Sequence, residues 1–137
     1  MHGNAQQIIG TGNAWFRYID DVFVLVPEET DLEEKLEQLN AVEERLQFTL
    51  ENENHGKLPF LDVMVIRCEN GAKYKVYRKK TNREDYIHYF SAHSQRVKSG
   101  VVIGVFLRAL RICSEELLQD EVNFIMISFL KLKYPLL

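Results

Sequence analysis

Trp15-Phe16-Arg17-Tyr18-Ile19-Asp20-Asp21-Val22-Phe23-Val24-Leu25-Val26 places two runs of aromatic and β-branched residues on either side of adjacent carboxylates. Strand formers flanking a polar break predict two short strands joined at Asp20-Asp21, a hairpin with its acids at the tip. Such a turn is a rigid place to expose two charges without moving them into a core. The plainer reading is a type I′ turn whose Asp-Asp only satisfies turn chemistry.

Before this stretch, residues 1–13 are a polar lead-in, and Gly10-Thr11-Gly12 reads as a turn because the third glycine of a phosphate loop is missing. After it, Pro27-Glu28-Glu29 ends the second strand, and Thr30 with Glu33 forms a capping box that opens a helix. Leu32, Leu36, Leu39, Val42 and Leu46 recur at helical spacing, which leaves Glu33, Glu34, Glu37, Glu43 and Glu44 toward solvent. Gln47 to Glu53 alternates Phe48 and Leu50 with polar neighbours, the pattern of a half-buried strand, and Asn54-His55-Gly56 breaks it.

Leu61–Arg67 and Lys73–Tyr77 read as a second hairpin turning at Glu69-Asn70-Gly71. The period then changes, and residues 95–113 and 115–132 predict two helices, with Ser114 capping the second and Glu115 and Glu116 suiting its positive end. Val102, Phe106, Leu110 and Cys113 form the packing stripe expected of the first, with Arg108 and Arg111 on another face. Gly100 and Gly104 either weaken that helix or permit close approach of a neighbour. The second helix is apolar nearly all round from Phe124 to Leu132, so it expects cover from a missing segment or from an oligomer. The fold class is therefore α+β: two β-hairpins with one packed helix, then a C-terminal helical pair. The expected segments are a lead-in at 1–13, a hairpin-rich region at 14–77, a basic and aromatic connector at 78–94 and a helical part at 95–137.

A chain of 137 residues, 46% hydrophobic and 27% charged, falls in the ordinary globular range. Its net charge of -3 conceals an asymmetry: residues 1–70 carry -9 and residues 71–137 carry +6. A basic half either complements the acidic half or marks a surface for polyanions. Cys68 and Cys113 lie outside any CxxC spacing, and His88 and His93 lack a second ligand pair, so neither a disulfide framework nor a zinc site is suggested. No apolar run reaches the roughly 18 residues of a membrane span, and no leader pattern opens the chain. An intracellular protein with no membrane partner is expected.

The hairpin, the leucine-bearing helix, Leu46-Gln-Phe-Thr-Leu-Glu, Lys57-Leu-Pro-Phe-Leu-Asp-Val, Val76-Tyr-Arg-Lys-Lys-Thr and Tyr86-Ile-His-Tyr resemble, in that order, the reverse transcriptase of Penelope-like retroelements. The similarity continues through Ser91-Ala-His93, Lys98, Arg108-Ala109 and Ile112-Cys113-Ser114 to Tyr134-Pro135. The resemblance implies a partial polymerase palm over 14–77 and a thumb or helix-turn-helix segment at the C-terminus. In such a palm Asp20 and Asp21 are catalytic carboxylates that hold Mg2+ (or Mn2+), and Tyr18 lies beside the primer terminus. Leu58, Pro59, Phe60, Leu61 and Asp62 open the hairpin that positions the primer. Arg78, Lys79, Lys80 and Arg83, with Arg96 and Lys98, meet the backbone of an RNA or DNA template-primer, and basic residues interleaved with Tyr86, Tyr89 and Phe90 suit that contact. Nuclear residence follows from the same resemblance.

Two-metal nucleotidyl transfer needs two divalent ions about 3.5 to 4 Å apart, held by hard oxygen ligands. In the family an upstream strand supplies a third aspartate, but only seventeen residues precede Tyr18 and none is acidic. Fingers and a GIY-YIG nuclease are also missing, Ser94 replaces a customary proline, and Leu132-Lys133 replaces Asn-Gly. The expectation is a palm-and-thumb piece that does not polymerise alone. Two alternatives stay open: a non-catalytic nucleic-acid-binding helix-turn-helix protein, and a translated relic without activity.

Overall fold

Tyr18 and Asp21 pair directly across the first hairpin, so its loop is only Ile19-Asp20. The structure, a computed structural model, describes residues 14–81, 83 and 85–135; the lead-in and Gly10-Thr11-Gly12 lie outside them. Strand β1 (Trp15–Tyr18) and β2 (Asp21–Val24) form a two-stranded antiparallel sheet. A type I′ turn needs positive φ at both loop residues, whereas here Ile19 alone has one, at 51°. Arg17 Nε donates to the Ile19 carbonyl at 2.8 Å and ties down that bend.

Helix α1 (Leu32–Asn40) starts one residue later than the capping box implies. Asp31, not Thr30, is the cap: its Oδ1 accepts the amides of Glu33 and Glu34, both at 3.1 Å. A carboxylate matches the positive helix end better than a hydroxyl does. The helix also stops short of Val42 and Leu46, which are exposed. Asn40 is the reason, since its side chain accepts the Phe48 amide at 2.6 Å and donates to the Phe48 carbonyl at 3.1 Å. This clamp uses the backbone groups that a ladder would need, and the strand expected at Gln47–Glu53 does not form.

Three strands follow in the order β3-β4-β5, all antiparallel: β3 (Lys57–Phe60), β4 (Val63–Cys68) and β5 (Gly71–Val76). The expected strand from Leu61 begins at Val63 instead, because Leu61, at φ 54°, turns the chain back at Leu61-Asp62 and makes 57–60 a third strand. Pro59 lacks an amide hydrogen and sits on the outer strand, where that loss is tolerated. The Glu69-Asn70 turn forms as expected, with Gly71 at φ 138°, a conformation open to glycine.

Helices α2 (Gln95–Ile112) and α3 (Glu115–Lys131) pack through Ala109, Ile125 and Phe129, with Val102, Val105, Phe106 and Leu118 around them. Ala109 is fully buried, whereas Leu110, expected on the packing stripe, is 59% exposed. The backbone of Ser114 does occupy the cap position of α3, but its hydroxyl does not cap. It accepts the Tyr74 amide at 2.9 Å, and the Ser114 amide donates to the Tyr74 carbonyl at 2.8 Å, joining the interhelical turn to β5. No described helix is long and apolar enough to cross a membrane.

The chain divides into two compact units, Met1–Glu53 and Asn54–Leu137. No described side chain of the first unit is fully buried, whereas the second contains the Ala109-Ile125-Phe129 core.

Candidate nucleic-acid interface

β5 ends at Val76, and the next residues carry the basic run toward the helices. Its first cation points inward: Arg78 Nη1 donates to Glu121 Oε2 at 2.9 Å, Nη2 meets Oε1, and the guanidinium lies 4.3 Å from the Phe124 ring centre. Lys79, Lys80 and Arg83 are exposed. Arg96, in the first turn of α2, is exposed too, while Lys98 is buried with its Nζ 5.5 Å from the Tyr89 ring centre. Of the six cations read from the sequence as a phosphate surface, four face solvent and two are held against the second unit's own side chains.

The interleaved aromatics divide the same way. Tyr86 stacks on Phe129 with ring centres 5.1 Å apart, and Tyr89 meets Tyr134 edge-on at 5.3 Å. Tyr134 Oη donates to the Ile87 carbonyl at 2.9 Å, and burial pushes its phenol above the ordinary tyrosine range. These rings fasten the connector to the helical pair. Phe90 is left 77% exposed, beside His88 and Tyr89. His88 Nδ1 accepts the Phe90 amide, and His93 Nδ1 pairs with Ser91 Oγ.

The two helix starts have opposite charge. The first turn of α2 has no acid and carries Arg96, so the positive end of the helix dipole and a cation reinforce one another. The first turn of α3 carries Glu115 and Glu116. Glu116 is held below the usual carboxylate range by its backbone hydrogen bond and by Lys73, 3.3 Å away. A helix that reads a groove presents polar or basic side chains to base edges. Here Gln119 and Asn123 bond each other at 3.0 Å, Asp120 is acidic, and Met126, Ile127 and Leu130 are exposed. Of the six cations named above, the exposed ones therefore sit in the connector and at the start of α2, whereas the first turn of α3 is acidic.

Asp20 is exposed in the two-residue bend of the first hairpin and Asp21, expected in the bend as well, is exposed at the first position of β2, with Tyr18 exposed before them. Among the described residues no three His, Cys, Asp or Glu side chains gather as a metal-binding group. Leu58, Pro59 and Phe60 are half-buried in β3, and Leu61 and Asp62 form its exposed turn. Two further residues define the geometry of this unit: Glu121, which no expectation from the sequence singled out, and Arg108, expected only to lie off the packing stripe of its helix, which pairs with Asp62. Glu121 is detectable in retrospect: it is four residues before Ile125 and eight before Phe129, an acid on the buried stripe.

Residues 85–136 match a family model described as an animal helix-turn-helix domain. No curated protein and no solved structure matches the chain.

Proposed function

We propose that the chain is a nucleic-acid-binding protein whose helix-turn-helix part holds a basic connector against the phosphate backbone. The observation that carries this reading is the exposure of Lys79, Lys80, Arg83 and Arg96 ahead of and within the first helix of the segment matching the animal helix-turn-helix domain. Cations aimed at phosphates give affinity without sequence choice, and each neutralised phosphate adds about 0.9 to the salt slope of duplex binding. The apolar and acidic surface of α3 argues against base reading by that helix. Binding to mixed-sequence DNA and RNA, titrated against salt, tests this. The Lys79→Gln/Lys80→Gln variant is expected to lose affinity on all sequences alike and to lower the slope by nearly two. Unchanged binding by that variant would sink the reading.

A finer reading is that this is the palm-to-thumb portion of a Penelope-like reverse transcriptase. The exposed Asp20-Asp21 pair at a strand bend favours it. Magnesium takes one or two carboxylates and completes its shell with water and substrate phosphates, so the pair fits one loosely held ion. It falls short of a two-metal set without a further carboxylate, and no nucleotidyl-transfer step is derived for the chain alone. Mn2+ should broaden the amide resonances of residues 19–22, and Asp20→Asn should abolish the broadening. Extension activity in the presence of a supplied upstream palm segment should be lost in the same variant. Broadening that is absent from the parent chain would remove the metal role.

A further inference from the structure

Between the Leu61-Asp62 turn, the end of the sheet and α2 lies an open cleft of about 260 Å³ lined by Leu61, Asp62, Tyr77, Lys79, Thr81 and Arg108. Its polar lining is two cations, one carboxylate and two hydroxyls, those of Tyr77 and Thr81. Arg108 Nη2 pairs with Asp62 Oδ2 at 3.2 Å, which leaves the donors of Nη1 unspent, while Nε is shut off from solvent and has no hydrogen-bond partner. The turn itself is fixed, because the Tyr77 amide donates to the Asp62 carbonyl at 2.7 Å. Lys79 and Thr81, also in the lining, are exposed.

We infer that this cleft is a seat for one phosphodiester group of a nucleic-acid backbone, with Arg108 and Lys79 supplying charge and Thr81 a hydroxyl donor. The inference rests on the proposed nucleic-acid binding and locates one phosphate of it. The lining carries one net positive charge, which matches the single negative charge of a phosphodiester. A planar guanidinium with spare donors is suited to phosphate oxygens, and being anchored by a carboxylate it loses little freedom on binding. Asp62 has a second role here. It holds Arg108 in place but opposes the anion, so the cleft is tuned toward weak, exchangeable binding rather than permanent occupation. Lys79 is also the sequence neighbour of the exposed Lys80, so the cleft adjoins the basic connector.

The test is binding of the full chain to a labelled mixed-sequence DNA oligonucleotide over a range of salt, with Arg108→Gln, Thr81→Val and Asp62→Asn as variants. Arg108→Gln should weaken binding and reduce the logarithmic salt slope by about 0.9. Thr81→Val should weaken binding and leave the slope unchanged. Asp62→Asn keeps the shape of the side chain and removes the opposing charge, so it should bind more tightly than the parent. A slope unchanged in Arg108→Gln, or weaker binding by Asp62→Asn, overturns the assignment. Inorganic phosphate separates this claim from the broader one. If the parent chain binds no oligonucleotide but phosphate shifts the Thr81 amide and Arg108 Nε–H resonances, the general function fails and the anion seat stands. If the oligonucleotide binds and those signals stay still in its presence, the reverse holds.

Discussion

Arg78, two residues past the last strand, grips Glu121 on α3 with both terminal guanidinium nitrogens while its flat face covers the Phe124 ring. Both partners are largely withdrawn from water, so the pair is a fastening between sheet and helix and not a surface ornament. Removing one side of such a pair leaves an uncompensated charge, which costs about 3 to 5 kcal/mol. Glu121→Ala should lose that much in urea unfolding, whereas the double variant Arg78→Met/Glu121→Leu should recover most of it. A single variant as stable as the parent would mean the two charges are solvated after all.

Gly100 and Gly104 face open space, with nothing within 4 Å of a Cβ added at either. Among the described residues, then, neither glycine serves a close helix approach. Replacing each by alanine should stabilise the fold by up to ~1 kcal/mol, since helical glycine carries a backbone-entropy cost and no clash opposes the methyl group. Thermal unfolding of the two single variants reads this directly, and a lower midpoint in either would show that the added methyl is not free.

Ile19 holds a β-branched side chain in the left-handed region, a conformation that costs on the order of 1 kcal/mol or more outside glycine and asparagine. Ile19→Asn should relieve that cost and slow amide exchange across β1 and β2. Faster exchange would show that the isoleucine side chain contributes more than its backbone strain removes.

Glu116 contributes acid sensitivity with a defined sign. Its carboxyl is depressed in the folded state by its own backbone hydrogen bond and by Lys73. The folded form thus binds this proton less readily than the unfolded chain, and the associated stability is present above the ordinary glutamate range and fades as pH falls through the depressed value. Lys73→Met should flatten the acid limb of the stability profile and leave neutral behaviour nearly unchanged, because the pair is exposed. An identical acid limb in that variant would rule out the lysine as a cause.

Where one physical rule governed, the sequence was readable. The first hairpin, the Glu69-Asn70 turn and the helical pair all follow from strand formers, turn formers and a change of period. Difficulty arose where side chains competed with the backbone. Asn40 ends α1 and takes the partners of Phe48, and Ser114 bonds a strand rather than capping its helix. Neither choice is encoded in hydrophobic period. Of the basic connector, the location was legible but not its use: Arg78 and Lys98 look like Lys79 and Lys80 until Glu121 and Tyr89 are seen beside them. Glu121 and Lys98 did leave a trace, each being a charge on a stripe that packs inward.

The bond pair between Ser114 and Tyr74 also bears on how this molecule behaves in a crowd. A sheet with a bare rim invites strands from neighbouring molecules to add on. Here one rim is occupied by the loop between the helices and the other contains Pro59, which has no hydrogen to donate. Strand-by-strand growth into fibres is thereby obstructed at both borders of the three-stranded sheet, so self-association of this unit, if provoked, should proceed through helix surfaces such as Ile103, Leu107 and Ile127.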